Sequence, residues 1–365
     1  AALATSFGRG AMTNHWIDLA NSSCVMIIGS NVAENHPIAV KWLLEARDRG
    51  AKLISVDPRF TRTSAVADIY APIRPGTDVA LIGGLINYAL SHDLIHRQYL
   101  VAHTNAGFLV DPDYRFEAGR FGPVEDGQYT REHWGFQRDR DGRIRQDPTL
   151  EDPRCVFQLL KRHFARYTLE TVSQTCGTLV EKLRLVAETF TDTHRPERAG
   201  SILYAMGATQ HTHGTQNIRS YAVLQLLLGN IGIAGGGINA ARGQSNVQGS
   251  TDHGLLFDLL PGYLKSPTAE QASLDDYIRD STPTSADPQS VNWWNNHAKY
   301  AVSLLKAWWG DHANKQNQFC YNYLPKRHGD RSYLAMFGAM GRGEMQGLFT
   351  FGQNPAVSGP DAGRG

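Results

Sequence analysis

Arg242, Gln244, Asn246 and Gln248 alternate with small or apolar residues along one run, RGQSNVQG. A guanidinium followed by amides at every second position suits a large ligand rich in acceptors. The planar fork of arginine matches a carboxylate or phosphate and keeps its charge at any working pH. Seven glycines crowd the same region, at 229, 232, 235, 236, 237, 243 and 249. Glycine lets another group come close to the backbone. The expectation is one glycine-rich loop over residues 229–249 that wraps a polar ligand. Leu224, Leu226, Leu227, Leu228, Ile231 and Ile233 tie its entry into a core, which argues against a free linker.

Two carboxylates stand out next. Asp57 and Asp78 could each accept the donor pair that guanine presents at N1–H and N2–H2. Asp78 reads equally well as a helix cap, so both roles stay open. Arg59, after Pro58, suits either a phosphate or a surface ion pair. His211 and His213 form an H-x-H pair without a third ligand nearby, a pattern closer to loop lining or helix capping than to a metal centre. His15, His36 and His253 carry no such pattern, and His36, just before Pro37, reads as a helix start. Cys24, Cys155, Cys176 and Cys320 form no C-x-x-C pair, so no zinc ribbon or sequence-local iron–sulfur motif is present.

These residues need elements to hold them. Residues 24–29 (CVMIIG) are a continuous apolar run, as in a strand buried on both faces. Pro37 suits a first helical turn. Ala39, Trp42, Leu43 and Ala46 form a helical stripe that Gly50 can stop. KLISV (52–56) is the next strand, which completes a right-handed βαβ unit. Residues 69–73 give a third strand, and Thr77 and Asp78 can cap a helix over 79–91. Residues 107–149 lack any sustained period and read as a surface excursion with room for one hairpin. Helical patterns return at 153–166 and 178–191, and a strand at 200–206. Beyond residue 249, helices are expected at 268–280 and 291–309 and a strand at 346–351. The fold class is α/β. A three-layer α/β/α domain with a mostly parallel sheet covers residues 1–244, and part of a second α/β domain covers 245–365. Ligands of such sheets lie beyond the carboxyl ends of the strands. The informative loops are therefore 29–35, 57–61, 207–214 and 352–354.

The first of these reads G-S-N-V-A-E and fails the G-x-G-x-x-G dinucleotide fingerprint at its second and third glycines. A strand-to-helix turn still offers N–H groups and a positive dipole end to a pyrophosphate. A dinucleotide other than NAD is the natural ligand class, although Asp57 sits where a ribose-binding acid would. The formal net charge of +1 gives no field that favours nucleic acid. The longest apolar candidate, 79–90, is broken by Gly and Asn and is too short to span a bilayer.

RGQSNVQG, preceded by LLLGNIGIAGGGIN and AMGATQHTHGTQNIRS, resembles the molybdopterin formate dehydrogenases, with homology expected over essentially all 365 residues. GSNVAE, VDPRFTRT, PIRPGTD, AMGATQ and FGQNP are similar to that family's segments around two molybdopterin guanine dinucleotides. Their order and spacing, more than any single motif, carry the likeness. The resemblance implies cofactor contacts at Gly29, Asn31, Glu34, Asp57, Pro58, Arg59, Gly76, Asp78, Met206, Gly207, Gln210, Gln244, Gly352 and Asn354. It makes Arg242 the arginine that orients the substrate. The implied reaction oxidises formate to carbon dioxide and passes two electrons to iron–sulfur clusters. The implied metal is molybdenum or tungsten, held by two pterin dithiolenes and a selenocysteine or cysteine that a histidine follows.

That ligand pair is expected just before Ala1, with an iron–sulfur domain before it and a barrel-like domain after this sequence. The sequence shows no secretory leader and no initiating Met, and is expected to be a catalytically inactive piece of a longer chain. A reading frame begun after an in-frame selenocysteine codon would give such a start. The excursion at 107–149 resembles the larger respiratory enzymes. It implies a periplasm-facing complex with an iron–sulfur β subunit and a membrane cytochrome b γ subunit, with a cytoplasmic location as the alternative. Two other readings stay open: a nitrate or polysulfide reductase with the same cofactor, favoured less by FGRGAMTNHW and Arg242, and a truncated chain that holds no cofactor.

Overall fold

The computed structural model describes residues 2–117, 120–121, 124–125, 128–129, 132–244, 246–256, 258–284 and 293–359. The chain divides into two compact units, Ala1–Ser245 and Asn246–Gly365.

The first unit is built on five parallel strands: β1 (Cys24–Ile28), β2 (Lys52–Val56), β3 (Ile69–Ala71), β4 (Gly200–Tyr204) and β5 (Gly237–Ala240). Their spatial order is β3-β2-β1-β4-β5. Cys24 pairs with Lys52 on one side and with Gly200 on the other. Alternation along β1 explains the three layers. Cys24, Met26 and Ile28 join Ile54, Val56, Ile202 and Ile238 on one face, under the helices Asp78–Ser91, Val180–Thr191 and Gly214–Leu227. Val25 and Ile27 join Leu53 and Leu203 on the other, where Leu43 of helix Pro37–Asp48 and Leu19 cover them. Strands apolar on both faces have to be covered on both.

The helix Pro37–Asp48 carries Pro37 in its first turn, and Gly50 takes φ +97° after it, as its sequence implies. At helix Asp78–Ser91 the expected capping fails. Thr77 makes no side-chain cap; its hydroxyl instead donates to the Arg74 carbonyl at 2.8 Å. Asp78 is the first helical residue and is buried. Between the two helices expected at 153–166 and 178–191 lies a third, Leu169–Cys176. Thr168 caps its start, and Gly177 ends it at φ +75°.

The glycine-rich stretch is not one loop, and this corrects the sequence reading. Its middle is β5, buried at every residue. Gly237 permits this, because a Cβ there would lie 2.3 Å from Asn14 Oδ1. The backbone near Thr13 can therefore lie across the strand. The Thr13 N–H donates to the Ile238 carbonyl at 3.1 Å, and the Ile238 N–H donates to Thr13 Oγ1 at 2.8 Å.

Asn230 locks the amino ends of β4 and β5. Its Oδ1 accepts from the Gly200 N–H at 3.0 Å, and its amide donates to Thr193 Oγ1 and Gln225 Oε1, both at 2.9 Å. All of these groups are buried, and an unpaired buried donor or acceptor costs about 1–3 kcal/mol. Asn230→Ala strands several at once and is expected to lower unfolding free energy by about 3 kcal/mol, measured by urea titration. A loss below about 1 kcal/mol would show that the network contributes little.

In the second unit a short helix, Leu274–Ser281, begins at a Ser273 capping box. It is shorter than the expected 268–280 helix because Thr268 to Gln271 form a turn. Helix His297–Trp309 follows a 3-10 turn at Trp293–Asn296; positions 291–292 of the expected helix lie outside the described residues. Leu274, Tyr277, Ala301, Leu305, Tyr321 and Leu324 make its core. The strand expected at 346–351 is absent. No described strand pairs with that segment, and Phe349 and Phe351 are 88% and 87% exposed. A strand without a hydrogen-bonded neighbour has nothing to fix it. The loop 352–354 therefore does not follow a strand. Among the described residues no helix is long and apolar enough to cross a membrane.

Candidate functional site

The chain leaves β1 for β2 and β3 in one direction and returns through β4 to β5 in the other. The sheet order thus reverses between β1 and β4, and such a point opens a crevice beyond the strands' carboxyl ends. Two turns meet there. Gly29, after β1, has φ +59°. Gly207, after β4, donates its N–H to the Gly29 carbonyl at 3.0 Å. A Cβ on Gly29 would lie 2.5 Å from the Ala208 nitrogen, and one on Gly207 would lie 2.7 Å from the Gly29 oxygen. The two backbones touch with no room for a side chain.

A cavity of about 650 Å³ opens above this contact. Gly29, Ser30, Asn31, Asn35 and His36 line it from the β1 side, and Asp57, Pro58 and Arg59 from the end of β2. Ile73, Pro75 and Asp78 come from beyond β3. Ala205, Met206, Gly207, Gln210 and His211 follow β4, and Ala241 and Gly243 follow β5.

Other expected contacts lie around it. Glu34 accepts from the Asn31 amide and pairs with Arg62 at 3.2 Å. Asn31 Oδ1 accepts the Thr63 hydroxyl at 2.9 Å, which ties the first loop to the helix Arg62–Val66. Asp57 Oδ1 accepts the Arg59 N–H at 3.0 Å and shapes the turn after β2. Gly76, at φ +84°, sits beside the His213 ring. Arg242 lies between two cavity residues; it is half-buried and donates from Nη2 to the Gly10 carbonyl at 2.8 Å. Gln244 is exposed at the end of the unit. Gly352 and Asn354 belong to the second unit, where the Asn354 carbonyl begins the turn Pro355–Ser358. His211 Nε2 lies 2.8 Å from the Gly207 carbonyl and 4.0 Å from Asp78 Oδ2, and its ring stacks on His213.

Burial holds the Asp78 carboxyl above the ordinary carboxylate range; His211 and His213 oppose this, and Asp57 adds to it. The folded chain therefore holds this proton more tightly than the unfolded chain does. The stability this gives is fully present below the unfolded-state pKa and is lost as pH rises through the raised folded one. Asp78→Asn removes the penalty. It is expected to raise the thermal midpoint at neutral pH and to lose that gain in acid, which midpoints across a pH series would show. Equal midpoints at neutral pH would argue against the burial effect.

Ser30, Asn35, Ala241 and His36 line the cavity without being singled out as ligand contacts by sequence. His36 had a visible signal, its place in the loop after β1, but it reads there as a helix start. The Trp16 ring stacks on it at 5.8 Å.

The family profile described as Molybdopterin oxidoreductase matches residues 2–365. The formate dehydrogenase 2 subunit alpha (cytochrome c-553) of Nitratidesulfovibrio vulgaris is 52% identical, over 100% of this chain and 36% of that protein. The nitrate-inducible formate dehydrogenase major subunit of Escherichia coli is 47% identical, over 99% of this chain and 36% of that protein. The F420-dependent formate dehydrogenase subunit alpha of Methanocaldococcus jannaschii is 35% identical, over 72% and 31% respectively. The chain thus spans 36% of the length of the first two of these relatives. With a profile match that runs almost end to end, the chain belongs to the molybdopterin oxidoreductase family.

Proposed function

We propose that this chain is the part of a formate dehydrogenase catalytic subunit that grips one molybdopterin guanine dinucleotide and holds the substrate arginine. The observation that carries this is the crevice at the β1/β4 reversal, closed below by glycine backbone and followed by the Arg242 segment. The crevice fits such a group. Its volume lies in the range of cofactor sites. Asp57 and Asp78 supply acceptors for the guanine donor edge, and Arg59 supplies a forked donor for phosphate. The second unit, through Gly352 and Asn354, would contact the second dinucleotide.

When bound, the molybdenum or tungsten bis-pterin supplies a two-electron acceptor. The chain's own share is placement. The Arg242 guanidinium takes the formate carboxylate in two parallel hydrogen bonds and so fixes which way the C–H bond points. For that, its fork has to leave the Gly10 carbonyl for the anion, an exchange of a neutral partner for a charged one. The whole protein would add a selenocysteine or cysteine ligand, an iron–sulfur cluster on its amino-terminal side, an iron–sulfur β subunit and a membrane cytochrome b γ subunit facing the periplasm. The relatives whose names specify formate dehydrogenase support this reading.

The full-length protein, purified without oxygen, should contain molybdenum or tungsten and guanine nucleotide. It should reduce a viologen dye with formate and should not reduce nitrate. Purified protein free of pterin, or one that turns over nitrate and not formate, would overturn the proposal.

A further inference from the structure

We infer that His36 is a positioning residue that clamps the backbone of Arg242 and thereby sets where its guanidinium can reach. The inference rests on the reading of Arg242 given above and assigns a second residue to the same site.

The sheet holds this backbone only as far as Ala241, whose N–H donates to the Tyr204 carbonyl at 2.8 Å. One residue further on, His36 Nε2 lies 2.6 Å from the Arg242 carbonyl oxygen. A carbonyl only accepts, so Nε2 carries the hydrogen. In the neutral ring, Nδ1 is then bare. That assignment suits its surroundings: Nδ1 is buried and has no partner among the described residues. A proton on Nδ1 would bury an unpaired donor, whereas an unpaired acceptor is the milder loss.

The ring itself is held from two sides. Trp16 stacks on it at 5.8 Å with planes 26° apart. Pro37, the next residue, opens the helix Pro37–Asp48, which fixes the chain direction at His36. His36 therefore joins the loop after β1 to the loop after β5, across the mouth of the crevice that it also lines. The Arg242 side chain meets Gly10 through Nη2, but that bond is the one the substrate would replace. Among the described residues, the bond from His36 is the one that stays on the Arg242 main chain when the guanidinium turns to its anion.

A fork displaced by about 1 Å can cost about 100-fold in rate. His36→Ala in the full-length holoenzyme is expected to lower kcat/KM for formate about 10- to 100-fold, through a lower kcat as well as a raised KM. His36→Gln keeps an N–H donor at similar reach and should return kcat/KM to within about threefold of wild type. Hydrogen–deuterium exchange gives a readout apart from turnover: amides at residues 241–244 should exchange faster in His36→Ala and at the wild-type rate in His36→Gln. Pterin content should match wild type in both.

Unchanged kcat/KM and unchanged exchange in His36→Ala, with Arg242→Ala inactive, would overturn the clamp and leave the role of Arg242 intact. Loss of pterin from both His36 variants would overturn it as well, by making the ring a cofactor ligand. An Arg242→Ala enzyme that still oxidised formate with the wild-type KM would overturn the underlying reading, and the clamp with it.

Discussion

Gly29→Val is expected to destabilise the first unit by about 3 kcal/mol or more and, on the proposed reading of the crevice, to lower its guanine nucleotide content. Two costs add. A side chain at φ +59° pays about 1–2 kcal/mol for the left-handed region. Overpacking adds about 1–3 kcal/mol, and here the clash is with the backbone of Gly207 and Ala208, so no rotamer change relieves it. Separating the two turns would also break the 3.0 Å bond between Gly207 and Gly29 and widen the floor of the cavity. Gly50→Val is the control. Gly50 has φ +97°, but a Cβ there would meet nothing within 4 Å, so only the conformational cost applies. Urea unfolding midpoints and guanine nucleotide content of both variants decide the matter. If Gly29→Val behaves like Gly50→Val, the two turns are not in contact as described.

On the proposed formate reading, Arg242→Ala in the full-length protein should lower kcat/KM for formate by about 10²- to 10³-fold, the scale on which a single preorganised donor to a reacting anion acts. Arg242→Lys should recover little of it. An ammonium restores the charge but not the planar fork, so the carboxylate keeps its attraction and loses its orientation. The pair of variants separates the two contributions: recovery by Lys would mean that charge alone matters. The metal and pterin content should hold in both variants, since Arg242 itself is not among the residues that line the cavity. Steady-state kinetics with formate, alongside metal analysis, checks each part. Near-normal turnover in Arg242→Ala would remove the arginine from the mechanism.

Both expectations depend on a short piece of geometry, the reversal of sheet order between β1 and β4. Gly29 and Gly207 let the two turns come together, and Asp57, Asp78 and the residues flanking Arg242 surround the space above. Asn230, with Gln225, acts at the opposite end of the same strands, where the pair fixes β4 and β5 relative to each other. A loss there would reach the crevice through the register of β5, since Ala240 and Ala241 lead directly into Arg242.

Local signals in the chain were enough for β1, β2 and the helix Pro37–Asp48 between them. Their apolar runs, Pro37 and Gly50 are local signals that act within a few residues. Three of the four loops named from the sequence, 29–35, 57–61 and 207–214, contribute residues to the crevice, because βα alternation forces a parallel sheet and a parallel sheet puts those loops at one edge; the fourth, 352–354, does not follow a strand. Tertiary structure alone decided the rest. The Gly237–Ala240 strand reads as loop because glycines crowd the chain on either side of Ile238; it becomes a strand because β4 offers it a ladder and Thr13 bonds to Ile238. The 346–351 segment has the opposite history: its apolar residues read as a strand, but no described neighbour pairs with it. Asp78, open in the sequence between helix cap and ligand carboxylate, is a buried residue that lines the cavity, and His36 begins the helix Pro37–Asp48 as its sequence implies but also donates to the Arg242 carbonyl, 206 residues along the chain. Local pattern reports a residue's preference for a conformation, whereas hydrogen-bond partners and burial depend on what the fold brings from far away in sequence, and at this site those distant partners assign the roles.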